Sequence, residues 1–404
     1  YFDHRLPKLL ELADAAAAAG VERYVLDDGW FGARRDDKAG LGDWYVSKDA
    51  WPDGLSPLVD HVKGLGMQFG LWFEPEMINE DSDLAREHPE WIMAPGERLP
   101  HTARSQQVLN LGIPECYAWI RDRMAELVER YGVDYIKWDH NRVLIESGNR
   151  TTGRAGVHEQ TLAAYRLFAE LKETFPGLEI ESCSSGGGRA DLGIMEIADR
   201  IWGSDCIDPL ERISIERGTS LLLPPEVVGS HVASPISHTT GRAHSLDFRA
   251  GNAFFSHFGI EWDLTSASPE ELARLAEWVA AYKEHRALLH TGDVVHANQH
   301  DESLWVHGVV AADGSEAIMT IVRPTTGKTA TPGRVTLPGL VADAIYRVTP
   351  LAPGDALGHR TGGQDLPWWN EGLTLSGHVL GTFGVQAPAL NPEQLVLIHL
   401  VRED

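Results

Sequence analysis

The sequence is poor in cysteine, with Cys116, Cys183 and Cys206 the three thiols in 404 residues. So few and so widely spaced, they suggest no disulfide framework and no paired-cysteine metal motif, and a reducing, cytoplasmic setting is expected. No apolar run reaches 18 residues, so no transmembrane helix is expected. Positive charge is scarce as well. Lys and Arg number 35 against 59 Asp and Glu, for a formal net charge of -24. That balance argues against nucleic acid or an anionic membrane as a partner and fits a neutral small molecule. An initial Met and a signal-like segment are also missing, so the chain reads as a piece of a longer polypeptide or as a processed one.

Apolar residues make up 43% of the chain, enough for a sizeable core and one or two domains. Tryptophan is plentiful at 13 and histidine at 18. Trp offers flat apolar area with one N–H donor, useful in a core or under a sugar ring.

The informative stretch is Tyr135 to Arg142. An apolar strand, Val133 to Ile136, turns abruptly polar, and Lys137, Asp139, Asn141 and Arg142 crowd into six residues. A buried strand whose C-terminal end opens on charge is how α/β barrels build their sites. The pattern recurs. Helical periodicity over Pro7–Gly20 precedes a strand at Val21–Leu26 that ends in Asp27-Asp28-Gly29-Trp30. A helix at Leu55–Leu65 precedes Gln68–Phe73, which ends in Glu74-Pro75-Glu76. Arg34 to Pro52 reads as a long polar loop. Further strands are expected at Gln107–Leu111, Leu178–Glu181, Arg200–Gly203, Val227–Val232 and about Ile260–Leu264. Helices are expected at Pro114–Tyr131, His158–Thr174, Ala190–Ala198, Leu210–Leu222 and Glu270–Leu289. Eight strands alternating with helices predict an α/β fold, a closed (β/α)8 TIM barrel over 1–289. From 290 to 404 short alternating apolar runs between Gly and Pro turns predict a C-terminal antiparallel β-sandwich.

Carboxylates dominate the strand ends: Asp27, Asp28, Glu74, Glu76, Asp139, Asp205 and Asp208. Two facing carboxyl groups are what glycoside hydrolysis needs, one to attack or activate water and one to protonate the leaving oxygen. Asp139 and Asp205 could face each other across the barrel mouth. Lys137, two residues before Asp139, shares its side of an extended strand, and an ammonium there favours the charged carboxylate of a nucleophile. Asp205 follows Ile201 and Trp202, and a poorly solvated carboxyl there would suit a general acid. His238, His244, Glu261 and Asp263 fit no short metal-ligand motif. Gly186 to Gly188 lack the Lys-Ser/Thr of a phosphate loop and read as room for a sugar against backbone.

The segment Leu26-Asp27-Asp28-Gly29-Trp30-Phe31-Gly32, taken with Tyr135–Arg142, Ser182–Arg189 and Trp202–Asp205, resembles glycoside hydrolase family 36, the bacterial α-galactosidases of the melibiase group. The resemblance implies a retaining double displacement on a terminal α-galactoside oligosaccharide of the melibiose or raffinose type, with no metal or organic cofactor. It implies Asp139 as nucleophile and Asp205 as acid/base. Asp27 and Asp28 are implied as ligands of the galactose hydroxyls, and Trp72, Arg104, Lys137, Cys183 and Gly186 as further sugar contacts. Asp27 and Asp28 can both face the sugar provided the strand has already bent. The family's N-terminal β-sandwich is missing, so a homo-oligomer or association with such a region is expected. His140, Gly203 and Cys206-Ile207 depart from the family pattern beside the chemistry. Transfer of galactose, action on α-N-acetylgalactosamine, and carbohydrate binding without catalysis are the other readings.

Overall fold

A computed structural model of the chain describes residues 3–329, 332–354, 360–361 and 364–403. It divides into two compact units, Tyr1–Asp205 and Cys206–Asp404.

In the first unit, helices α1 (Leu6–Ala18), α2 (Ser56–Gly64), α3 (Asp83–Glu87), α4 (Pro114–Tyr131), α5 (Val157–Thr174) and α6 (Leu192–Met195) alternate with short strands. Strands β1 (Arg23–Leu26), β2 (Gln68–Phe73), β5 (Tyr135–Trp138), β6 (Glu179–Ser182) and β7 (Arg200–Trp202) pair in parallel in that order. Local chemistry explains the limits. Pro114 opens α4 where its missing N–H costs nothing, and Gly132, at φ 55, closes it in the left-handed region. The α2 and α4 faces that turn inward carry Leu58, Val62, Ile120, Met124 and Leu127, all buried.

One expected strand takes a different place. Alternation places Gln107–Leu111 in the parallel set, but β4 (Gln106–Val108) pairs antiparallel with β3 (Met77–Asn79). Past the end of β2 the chain turns at Glu74–Met77, with Pro75 in the turn and the Met77 N–H donating to Glu74 O at 3.3 Å. Three residues on either side are too few for alternation to reveal direction.

The second unit carries α7 (Pro209–Thr219), α8 (Leu246–Ala253) and α9 (Pro269–Thr291), with β8 (Val228–Ala233) and β9 (His257–Glu261) paired in parallel. The β9 strand lies a few residues before its expected position. Asp263 ends it by accepting from the Thr265 N–H at 3.2 Å, which caps a short 3-10 turn. A capping box between Ser268 and Glu271, with Pro269 at the first helical position, starts α9. Beyond it, β10 (Asp293–Ala297), β11 (Trp305–Val310) and β12 (Glu316–Arg323) join the strands Ile345–Leu351, Leu373–Ser376 and Gln394–Glu403 in a six-stranded antiparallel sheet. One face of it packs Val306, Met319, Ile321, Tyr346, Val348 and Ile398 under Trp368 and Leu380. Short helices at Pro367–Asn370 and Gly377–Thr382, unforeseen in the sequence, supply part of that cover. Among the described residues, seven strands pair in parallel, five in the first unit and two in the second. No helix of these residues is long and apolar enough to cross a membrane.

Candidate active site

Strand register lays out the site in the first unit. Leu26, Leu71, Ile136 and Ile180 stand in one row across β1, β2, β5 and β6. One residue further on, Trp72 pairs with Lys137, and Asp27 directly follows the end of β1. Two residues beyond the Trp72, Lys137 and Glu181 level, on the same side by alternation, come Glu74, Asp139 and Cys183. The ladder continues far enough to hold them. The Asp139 N–H donates to Phe73 O and the Cys183 N–H to Trp138 O, both at 2.7 Å.

Asp139 is the best-anchored member of the set. Its carboxylate is buried and accepts from Asn141 Nδ2 at 2.7 Å, from the Trp72 indole N–H at 3.2 Å and from the His140 N–H at 2.8 Å. Burial would push its pKa up, but Lys137, Asn141, the Cys183 thiol and the His140 N–H together hold it below the ordinary value. A buried carboxylate kept ionised can serve as a nucleophile or accept strong hydrogen bonds.

The paired aspartates part company. The strand ends at Leu26, and Gly29 at φ 106 completes the turn that follows, so the bend expected for both to leave the strand is present. Asp27 is exposed and accepts from Lys137 Nζ at 2.7 Å. Asp28 accepts from Arg34 in a fork, Nε to Oδ1 at 3.0 Å and Nη2 to Oδ2 at 2.8 Å. Burial raises the Asp28 pKa despite that guanidinium. Arg34 is itself buried and was missed in the sequence, where it opened an apparently polar loop. The same loop buries Trp44 against Phe31 with ring centroids 4.5 Å apart, and Trp30, Trp72 and Phe73 complete the cluster. Each such ring removes roughly 150–250 Å² from water, so the loop is held by its aromatics.

Around Gly186 the fit is close. A Cβ there would sit 2.7 Å from Ser204 Cα and 2.9 Å from Asp205 N, and φ is +85°. The glycine loop therefore seats directly on the segment that carries Asp205. Asp205 accepts from the Trp202 indole N–H at 2.9 Å but is exposed, not the poorly solvated carboxyl expected from Ile201 and Trp202. Those two side chains are buried while the carboxylate lies beyond the strand end. The Cys183 thiol is pushed well up, by burial first, then by the Asp139 charge, with Asp205 adding to it. Both carboxylates are thus felt at one buried sulfur. Arg104 is exposed in its loop at φ 51, and no described hydrogen bond ties it to this cluster.

Two buried carboxyls were noted in the sequence without a role. Glu74 accepts from the Asn141 N–H at 2.5 Å and from Gln106 Nε2 at 3.0 Å. Burial, then the Asp139 charge, pushes its pKa up to about 8. The side-chain carbonyl oxygen of Gln106 is buried with no hydrogen-bond partner among the described residues, and turning that amide over would offer Glu74 an acceptor for its proton. Glu76 is burdened by burial, yet Arg189 at 2.7 Å and the Trp138 indole N–H at 2.9 Å keep its pKa low. His140 turns to this second cluster, 4.0 Å from Glu76, and burial holds its pKa down. Alternation along the strand explains why it points away from the Asp139 row. Asp208 lies in the second unit and is a helix cap. It is fully buried, accepts from the Leu210 N–H at 2.9 Å and pairs with Arg242 at 2.9 Å.

Known proteins place this arrangement. A profile of the Melibiase family matches residues 1–292. An α-galactosidase of Escherichia coli is 44% identical over 407 residues, covering 100% of this chain and 57% of the relative. The α-galactosidase structure from Lactobacillus brevis superposes with a TM-score of 0.91 at 33% identity, covering 100% of this chain and 54% of that one. A raffinose complex of the α-galactosidase AgaA from Geobacillus stearothermophilus gives a TM-score of 0.90 at 32% identity, again over 100% and 54%. The chain thus spans little more than half the length of these relatives. On these likenesses the chain belongs to the Melibiase family, the α-galactosidases of glycoside hydrolase family 36.

Proposed function

We propose that this chain is the catalytic portion of a retaining α-galactosidase acting on melibiose- or raffinose-type oligosaccharides. Asp139 attacks the anomeric carbon and Asp205 protonates the departing oxygen, then activates the water that releases galactose. Asp27, Asp28 and Lys137 bind hydroxyls, Trp72 and Cys183 line the pocket, Gly186 admits the sugar to the backbone, and Arg104 reaches in from its loop. The observation that carries this reading is the Asp139 carboxylate, buried yet held ionised beside Lys137. The relatives' names and the raffinose in the AgaA complex support the substrate class. Alternation of strands and helices supports a closed (β/α)8 barrel over 1–289, with a β-sandwich over 290–404. We further infer a cytoplasmic enzyme, supported by three free cysteines. It works as a homo-oligomer or with an N-terminal region.

The test is release of p-nitrophenol from its α-galactoside by the chain and by its Asp139→Asn variant. Activity in the first and a loss of at least about 10⁴-fold in the second is expected. A fully active Asp139→Asn enzyme would end the assignment. Activity confined to the α-N-acetylgalactosaminide would move the substrate class.

A further inference from the structure

We propose that His285, Glu316 and His399 form a binding site for a divalent transition-metal ion of the zinc class. No motif in the sequence announces it, because its ligands come from three elements of the second unit. His285 lies on α9, Glu316 opens β12, and His399 is on the last strand, Gln394–Glu403.

The sheet brings two of them together. His399 pairs with Ile318 across the antiparallel ladder, and Glu316 is two residues from Ile318 on the same face. Glu316 and His399 are therefore diagonal neighbours, within reach of each other. Their contact is close, with His399 Nε2 2.6 Å from Glu316 Oε1. The helix brings the third. His285 is buried, its Nδ1 is 3.9 Å from the same carboxylate oxygen, and its ring centroid is 5.4 Å from that of His399. One ligand atom from each residue lies within 4.8 Å of the others.

A tetrahedral ion with bonds of about 2.0–2.1 Å holds its ligand atoms about 3.3 Å apart. The Glu316–His399 pair would open slightly and His285 close slightly to reach that spacing. Two imidazoles and one carboxylate suit zinc and its neighbours, and three protein ligands leave a fourth position for water. An ordinary hydrogen-bonded pair explains Glu316 and His399. It does not explain a second imidazole turned on the same oxygen from beyond hydrogen-bond range. The ion would tie α9 to two strands of the antiparallel sheet and so stabilise this unit.

Isothermal titration of the chelator-treated full chain with zinc sulfate tests this, with thermal unfolding alongside. One equivalent bound at low micromolar Kd, with a Tm that climbs as zinc is added, is expected. His285→Asn and His399→Asn should each weaken that event at least about tenfold, and His61→Asn, altering a half-buried histidine in the first unit, should leave it unchanged. Glu316→Gln keeps an acceptor for His399 while removing the charge, so it tests the ligand set even if a histidine variant folds poorly. It too should lose at least about tenfold. Zinc binding that is absent from the parent chain, or equal in the parent and in Glu316→Gln, overturns the proposal.

Discussion

The indole N–H of Trp72 donates to Oδ2 of Asp139 at 3.2 Å, across two adjacent parallel strands, and Asn141 Nδ2 donates to the same oxygen at 2.7 Å. Oδ1 takes the His140 N–H, so both carboxylate oxygens are held in place. Trp72→Phe removes one donor and keeps most of the packing. It should lower kcat by about tenfold, the worth of roughly one hydrogen bond to a charged group, with little change in Tm. An unchanged kcat would show that the remaining donors position Asp139 unaided.

The Lys137 ammonium does most to offset the effect of burial on Asp139. Lys137→Met should therefore raise the Asp139 pKa and move the acid limb of the kcat/KM profile to higher pH. A limb that stays in place while KM rises would assign Lys137 to Asp27 and the substrate alone.

Glu74 makes stability depend on pH in a definite direction. Its pKa goes from the ordinary carboxyl value of 4.5 to about 8 in the folded chain. Between those values the unfolded chain binds fewer protons than the folded one, so stability falls as pH rises through this window. Glu74→Gln cannot ionise. Relative to the parent, its stability should climb between about pH 5 and 8, by an amount of the order of a few kcal/mol. Parallel denaturation curves for the two proteins across that range would rule this out.

Gly186 has no room for a side chain. The 2.7 Å approach to Ser204 Cα and the φ of +85° mean that Gly186→Ala must displace the Asp205 segment or strain its own loop. The expected cost is about 1–3 kcal/mol in stability, with a larger fall in kcat than in substrate affinity. Parent-like kcat and Tm together would show that the two loops are not coupled.

The Asp139 row was legible in the sequence because period-two alternation and the sudden polarity after Ile136 need no long-range knowledge. The same holds for Asp27, Asp28 and Gly186, whose motifs are local. Arg34 was not legible. Its burial depends on Trp44 and Phe31 folding a polar-looking loop over the strand ends, and on Asp28 waiting beneath it. Nor was the solvation of Asp205, since the buried side chains of Ile201 and Trp202 do not cover a carboxylate beyond the strand end.

By itself the sequence determined the alternation of strands and helices, the change to antiparallel strands near the end of α9, and the carboxylates at the strand ends. These follow from periodicity and turn chemistry, which act over a few residues. Tertiary structure decided the antiparallel pairing of Gln106–Val108 with Met77–Asn79 and the division of Asp27 and Asp28 between Lys137 and Arg34. It also set the opposite pKa shifts of Glu74 and Glu76 and the meeting of His285, Glu316 and His399. Each of these depends on which distant charge, donor or strand fills the neighbouring space, and local periodicity carries no record of that.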